Sequence, residues 1–507
     1  MPAESSQLPE PIERVTRFLD TPHHMLIGGQ WAPSRSASVR TVHNPATGEP
    51  LAEVAEAGAA DVDAAVAAAR RTFDSPDWRR MPPARRTELL WNLSYLIEEH
   101  AEELAVMEVL NQGKPLPVAR GLDVKAPVQT LRYYAGWATK IEGTTVDLAP
   151  VEPAGRPYGP HTHAYSLREP VGVAAAIVPW NVPLLMAVAR LAPAITAGCT
   201  VIIKPAEQTP LTTLRLGELI EQAGFPPGAV NIVTGSGEVA GAALVSHPDV
   251  DKIAFVGSTE TARTIAASAS RSLKRLSLEC GGKSPTIVFA DADVEEATAA
   301  AAGLIFLNSG QMCFAGSRLL VHSDVADDII AGVVDHARSL KVGPGMDLDT
   351  DLGPLVSQEQ LDRVSGYLAL GRSEGATLVT GGSRIDRPGY FVEPTVFRTD
   401  DPALRVNQEE IFGPVLVTTE FSDESEVIAM ANATSYGLSA SVWTNDLSRA
   451  HVVASELRVG GVSINCAIGL DHALPMGLYK QSGIGVSGGF QGVEEYLETK
   501  SVTVALR

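Results

Sequence analysis

Between Val171 and Gly257 the chain repeats one unit that leaves few folds open to it. A short run of small and β-branched residues is followed by a helical stretch and then by another such run. VGVAAAIV (171–178) and TVIIKP (200–205) are apolar almost throughout, so both read as strands covered on both faces. The stretch between them, 184–197, is long enough for a crossover helix, which makes a βαβ unit. LTTLRLGELIEQAG (211–224) has a helical pattern, ends on Gly224 and leads into the strand-like VNIVTG (230–235). KIAFVG (252–257) repeats the strand-then-glycine pattern. Parallel strands joined in this way predict a doubly wound parallel sheet in an α/β fold. This is also the most apolar part of the chain. Pro179, Pro183, Pro193, Asn181 and Arg190 within it are poor choices for lipid, so it reads as buried in protein.

Upstream, 61–73 and 84–111 read as helices, with Asp61 as an N-cap. A second α/β region from about 282 to 481 holds TIVFA, RLLVH, a helix around 324–340, VLVTTEF and SVWT. HAYSLREP (163–170) and SVTVAL (501–506) alternate like arm strands, which either pair between subunits or close a local hairpin. A chain of 507 residues, 45% of them hydrophobic, is too long and too apolar to be disordered. Its 40 basic and 60 acidic residues leave a net charge of −20, which repels phosphate backbones and anionic lipid. Nucleic-acid and membrane-surface roles are therefore not expected. Four cysteines are too few for a disulfide framework and fit a reducing compartment. The first twenty residues have no basic start followed by an apolar core, so a cytoplasmic protein without a secretory leader is expected.

Several segments have the composition of reactive sites. Cys313 lies in NSGQMCFAGSR (308–318), beyond a helix that starts near 296 and ends around Leu307. Small neighbours without apolar periodicity suit a reactive thiol as well as a buried filler. Glu279, in SLECGGKSP, follows a strand and precedes two glycines, the place for a general base or a salt-bridged strand end. Asn181 in VPWNVP is held extended by flanking prolines, as an oxyanion donor or as a turn residue. Gly235-x-Gly237-x-x-x-Gly241 follows a strand and opens a helix, the context for a dinucleotide phosphate, although it departs from G-x-G-x-x-G. Lys204 and Glu207 suit ribose or phosphate contacts, and a glutamate there favours NAD over NADP without excluding NADP. No metal site is expected. Asp347, Asp349 and Asp351 alternate as in a calcium loop but lack its glycine and its closing glutamate, and His161 and His163 have no partner cluster.

These signals coincide in one known arrangement. PWNVP, KPAEQTPL, GFPPGAVNIVTG, FVGST, LECGGKSP, GQMCFAGSR, EEIFGP, YGLSASVWT and KQSGIG occur in order. From about residue 22 to 507 the chain resembles the NAD(P)-dependent aldehyde dehydrogenase superfamily. The resemblance implies an NAD-binding domain (20–148 and 168–281), a catalytic domain (282–481) and a strand arm (149–167 and 482–507) that builds homodimers or homotetramers. It implies Cys313 as nucleophile, Glu279 as base and Asn181 as oxyanion amide, acting on a small-molecule aldehyde. It places Lys204, Glu207, Gly237, Gly241, Ser258, Glu410 and Phe412 against NAD. Ile177, Pro179, Trp180, Gly257 and Cys280 line the same cofactor site.

The departures are specific. Cys280 stands where the family usually has leucine, and Ala262 where many members have glycine. Pro475-Met476-Gly477-Leu478 replaces P-F-G-G, and Ser487 replaces a second glutamate, leaving Glu279 as the main water-activating group. FLNSGQMC, SHPDVDKIAFVGST, SVWTNDLS and LDHALP are most similar to phenylacetaldehyde and related aryl-aldehyde dehydrogenases. A coenzyme-A-acylating relative typically lacks the glutamate retained here as Glu279. A non-catalytic descendant would have no need of all three catalytic residues.

Overall fold

The computed structural model describes residues 10–148, 162–467 and 471–506. His161 and the part of the expected arm at 149–161 lie outside the described residues. At the centre of an eight-stranded sheet, Val173–Ile177 runs parallel to Thr200–Lys204 on one side and to Lys252–Val256 on the other. Val230–Ile232 extends the first side and Arg275–Glu279 the second, again in parallel. Antiparallel strands complete the edges: Met25–Ile27 with its hairpin partner Gln30–Ala32, and Gly483–Ile484 against Leu278 and Glu279.

Alternating side chains of the central strands enter two different cores. Ala174, Ala176, Val201 and Ile203 pack with Leu191 and Leu214 of the crossover helices Pro183–Ala197 and Leu211–Gln222. Val173, Ala175, Ile177 and Ile202 pack with Val62 and Val66 of the helix Ala59–Asp74. With both faces covered, neither can carry polar residues, which explains the unbroken apolar runs. Strand order reverses between Val173–Ile177 and Lys252–Val256, and a doubly wound sheet opens a crevice beyond the carboxyl ends of its strands at such a point. Ile177, Lys204 and Glu279 are the last residues of their strands, and Gly257 directly follows its own.

The second sheet has Pro285–Val288 between Arg318–His322 and Ser439–Trp443, all parallel. Val415–Phe421, Thr395–Arg398 and Gly461–Ile464 extend it in parallel, and Thr377–Thr380 closes one edge antiparallel. Separately, Leu497–Ala505 runs antiparallel to Thr162–Pro170, from the pair Leu497–Pro170 to the pair Ala505–Thr162, with Thr145–Val146 beyond. Among the described residues no helix is long and apolar enough to cross a membrane.

Two local expectations are corrected. Gly58, not Asp61, is the N-cap of Ala59–Asp74. Asp61 sits one turn in, where its carboxylate accepts from Gly58 N–H at 3.0 Å, Arg35 N–H at 3.1 Å and the Ser34 hydroxyl at 3.3 Å. The stretch 84–111 forms two helices, Pro83–Glu99 and Ala101–Gln112. His100 serves both: its N–H donates to the Leu96 carbonyl, and its own carbonyl accepts from Leu104 N–H. Asp61→Ala strands three donors around a buried position. It should lower stability by about 2 kcal/mol, read as a lower melting midpoint, and Asp61→Asn should recover part of the loss.

Candidate active site

The loop that carries Cys313 is built from close backbone approaches. After the helix Val294–Phe306, Asn308 (φ 49°), Ser309 (φ 57°) and Gly310 (φ 70°) are left-handed in succession. This conformation costs a residue with a Cβ about 1–2 kcal/mol. Ser309 Oγ donates to the Gly353 carbonyl at 2.7 Å, and Asn308 Nδ2 donates to the Asn181 carbonyl at 3.0 Å. A Cβ on Gly310 would lie 2.0 Å from the Gly413 carbonyl oxygen. One on Gly282 would lie 2.6 Å from the Cys313 carbonyl oxygen, and one on Gly281 would lie 2.1 Å from a Glu410 carboxylate oxygen. Glycine at these positions lets Cys313, Glu410 and the segment after Glu279 meet.

The surroundings hold the Cys313 thiol neutral. Burial pushes the Cys313 thiol up to about 12, and the nearby Glu410 and Glu279 carboxylates add to the rise. The backbone N–H groups of Phe314 and Cys313 oppose it weakly. Burial also raises Glu410 to about 7, although Gly282 N–H donates to it at 3.2 Å. Glu279 is paired with Arg190 at 2.6 Å, both largely buried. The Cys280 thiol is buried and raised to about 11, mainly by that burial, while a hydrogen bond with Thr259 opposes the shift.

Asn181 joins the two halves of the site. Its Nδ2 donates to the Gln311 carbonyl at 2.9 Å and faces the Met312 sulfur at 3.8 Å. Its own carbonyl accepts from Lys114 Nζ and from Asn308 Nδ2, each at 3.0 Å. A thioether is a weak acceptor, so the N–H facing Met312 has the least to lose on turning to a stronger one.

The residues expected against a dinucleotide gather at the carboxyl edge of the first sheet. Lys204 is buried, its Nζ bonded to the Pro205 carbonyl at 2.9 Å and lying 3.6 Å from the Glu207 carboxylate. Gly241 packs on the Lys204 side chain, and Gly237 is open above it. Ser258 caps the helix Thr259–Ala269. The Trp180 and Phe412 rings meet edge to face with centroids 5.2 Å apart, Phe412 with a positive φ of 61°. Pro179 adjoins this pair along the chain, and Ile177 ends the central strand. A buried cation, an open glycine turn and an aromatic clamp at a switch point fit a dinucleotide. Among the described residues, no group of three or more His, Cys, Asp or Glu side chains could hold a metal ion. Asp349 and Asp351 are engaged by Lys341, and the His163 ring lies against Tyr165.

Three residues of the site were not found from the sequence: Arg190, Lys114 and Asn308. A single arginine inside an otherwise apolar helical run was the available signal for the first. For the other two the partner lies 67 and 127 positions away. With its thiol held near 12, Cys313 in the ligand-free protein should react with iodoacetamide about ten times faster per pH unit from pH 6 to 9, without a plateau. Peptide mass spectrometry of the Cys313 fragment checks this, and a plateau below pH 8 would overturn it.

Comparison with known proteins agrees with this geometry. The profile of the Aldehyde dehydrogenase family matches residues 31–502. The phenylacetaldehyde dehydrogenase of Pseudomonas fluorescens is 48% identical over 490 residues, covering 96% of this chain and 97% of its own. The solved NAD+ complex of an aldehyde dehydrogenase from Bacillus cereus superposes with a TM-score of 0.95 at 44% identity, covering 99% of both chains. An indole-3-acetaldehyde dehydrogenase solved in complex with NAD+ gives 0.93 at 40% identity, over 98% of this chain and 99% of its own. With Cys313, Glu279 and Asn181 converging beside a dinucleotide crevice, and with these likenesses along nearly its whole length, the chain belongs to the aldehyde dehydrogenase family.

Proposed function

We propose that this protein oxidises an aldehyde to the carboxylic acid with NAD, through a covalent intermediate on Cys313. The observation that carries the reading is the convergence of Cys313, Glu279 and Asn181 where the first sheet opens its crevice. The oxidised nicotinamide supplies a hydride acceptor when bound. The Glu207 carboxylate, partly exposed beside Lys204, suits ribose hydroxyls and repels a 2′-phosphate, which favours NAD. Trp180, Phe412, Glu410, Ser258, Gly237 and Gly241 would hold the rest of the cofactor, with Ile177, Pro179, Gly257 and Cys280 lining the crevice.

An aldehyde carbonyl gives up hydride only once it is tetrahedral. Cys313, on losing its proton, adds to the carbonyl carbon to form a hemithioacetal. The neutral thiol of the resting site means that a base has to accept that proton as the bond forms. The oxyanion rests on the Asn181 amide, which exchanges its weak sulfur contact for a charged oxygen, and on the Cys313 backbone N–H. Collapse of the oxyanion releases hydride from the same carbon and leaves a thioester on Cys313. Glu279 takes a proton from water, the hydroxide adds to the thioester, and the acid leaves as the thiol is restored. Ser487 lacks the carboxylate that would share this task.

The substrate reading is an arylalkyl aldehyde such as phenylacetaldehyde. Its supports are the segments FLNSGQMC and LDHALP, the identity with the Pseudomonas enzyme, and the apolar setting of Cys313 among Val182, Met312 and Phe314. The division into a cofactor domain, a catalytic domain and an arm rests on the eight-, seven- and three-stranded sheets. Among the described residues Leu497–Ala505 has one edge without a strand partner, and exposed Val504 and Leu506 lie at its end, which suits a homodimer or homotetramer. Four free thiols suit the cytoplasm.

Cys313→Ala should abolish turnover. Glu279→Gln should give a burst of about one NADH per site and then steady turnover slowed roughly 10²–10⁴-fold; an unchanged steady rate would remove the base role. Absorbance assays with phenylacetaldehyde, benzaldehyde and short aliphatic aldehydes, each with NAD and NADP and without coenzyme A, should show acid formed fastest from an aryl aldehyde with NAD. Preference for the aliphatic set would discard the substrate reading alone.

A further inference from the structure

Against the backbone of Asn181 lies a group of buried ionisable side chains that the reaction does not consume. Lys114 follows the helix Ala101–Gln112 after Gly113, whose φ of 102° turns the chain inward. Its ammonium is fully buried, paired with Asp123 and 3.9 Å from Glu108. Its remaining short contact is the Asn181 carbonyl, at 3.0 Å. Glu108 accepts from Leu184 N–H, further along the same segment, at 3.1 Å, and from the Thr212 hydroxyl of the helix Leu211–Gln222 at 2.8 Å. The cluster thus grips the chain on both sides of Pro183, at the carbonyl before it and at the amide after it.

Burial, with Asp123 nearby, pushes the Glu108 carboxyl up to about 8, so the cluster is the Lys114–Asp123 ion pair beside a largely neutral carboxyl. A buried ion pair is a costly way to hold a fold, because well-packed apolar residues of similar volume do as well or better. The cost here is visible: Asp123 Oδ1 and Glu108 Oε2 have no hydrogen-bond partner among the described residues. What the cluster achieves is local. Lys114 Nζ and Asn308 Nδ2 both donate to the Asn181 carbonyl. With both donors fixed, the peptide plane after Asn181 cannot swing, and the direction of its Cβ is set.

We infer that Lys114, anchored by Asp123, is a positioning residue that aims the Asn181 carboxamide at the oxyanion. This rests on the reading of Asn181 as the oxyanion donor. A donor displaced by an ångström loses most of its effect on a transition state, although it still binds the ground state. Lys114 therefore acts on the hydride step through Asn181 and not on cofactor binding.

The test is a double-mutant cycle on the full-length protein with Lys114→Met, Asn181→Ala and the pair. It uses rapid-mixing NADH bursts with the best aldehyde of the panel above. NAD affinity and iodoacetamide labelling of the Cys313 peptide are measured in parallel. Lys114→Met should slow the hydride step about 10–100-fold, with NAD affinity and labelling within twofold of the parent. The pair should be no slower than Asn181→Ala alone. A pair slower by the product of the single effects overturns the inference, as does a loss of NAD affinity and labelling in step with the rate. An unchanged hydride step in Asn181→Ala removes the oxyanion reading itself, and that single variant identifies this outcome. Should Lys114→Met fail to fold, the near-isosteric Asp123→Asn enters the same cycle under the same criteria.

Discussion

Everything at the active site follows from one short crossing. The chain leaves the carboxyl edge of the first parallel sheet at Glu279 and enters the amino edge of the second at Pro285. Those few residues span about 20 Å at most, so the two sheets must bring opposite ends together. The first contributes what lies beyond its strands, the crevice predicted for a doubly wound sheet. The second contributes what lies before its strands: Cys313 ahead of Arg318–His322, and Glu410 and Phe412 ahead of Val415–Phe421. Close passage of so much backbone leaves no room for side chains. Gly281 and Gly282 lie in the crossing, and Gly310 and Gly413 lie on the segments that pass it.

The same crossing sets the electrostatics. It draws two carboxylates and a thiol into a space from which water is largely excluded. In such a space charge is expensive, so the thiol and Glu410 are driven towards their neutral forms. Arg190 is the buried cation set against Glu279, and among the described residues its Nε has no hydrogen-bond partner, so the pair is made through one end of the guanidinium. Held neutral in this way, the Cys313 thiol is protected from adventitious oxidation, which attacks thiolate rather than thiol. It also means that reactivity has to be supplied when substrate and cofactor arrive.

How much of this could be read in the sequence depended on the range of the interactions involved. The central strands were legible because covering both faces leaves a local signature, an unbroken apolar run. Cys313, Glu279 and Asn181 stood out as candidates because each sits in a short segment whose neighbours are shaped for close approach, but only the resemblance gave them expected roles. Lys114 in NQGKPLP reads as a solvated loop lysine, and only the fold brings Asp123 and Asn181 to it. The break at His100 was hidden because helical periodicity continues through it, and the change of direction is set by the cores on either side. Asp61 was assigned as a cap for the right chemistry but one turn late. Its carboxylate caps by reaching back, and Arg35 and Ser34, which fix it there, come from a distant strand end.

On the proposed role of Asn181, these long-range partners belong to function as well as to folding. A carboxamide has two torsions of its own, and they are useful only if its backbone is still. Proline on one side of the Trp180–Val182 segment removes conformations before folding, and proline on the other begins the helix Pro183–Ala197. What remains is rotation of the peptide plane, and the donors from Lys114 and Asn308 remove it. One of them reaches the carbonyl from a left-handed turn that would relax if released, and the other comes from a buried ion cluster that would be cheaper as hydrocarbon. Two unfavourable arrangements meeting on a single oxygen atom are difficult to explain as a requirement of stability. They are what a catalyst needs when its rate depends on where one N–H points.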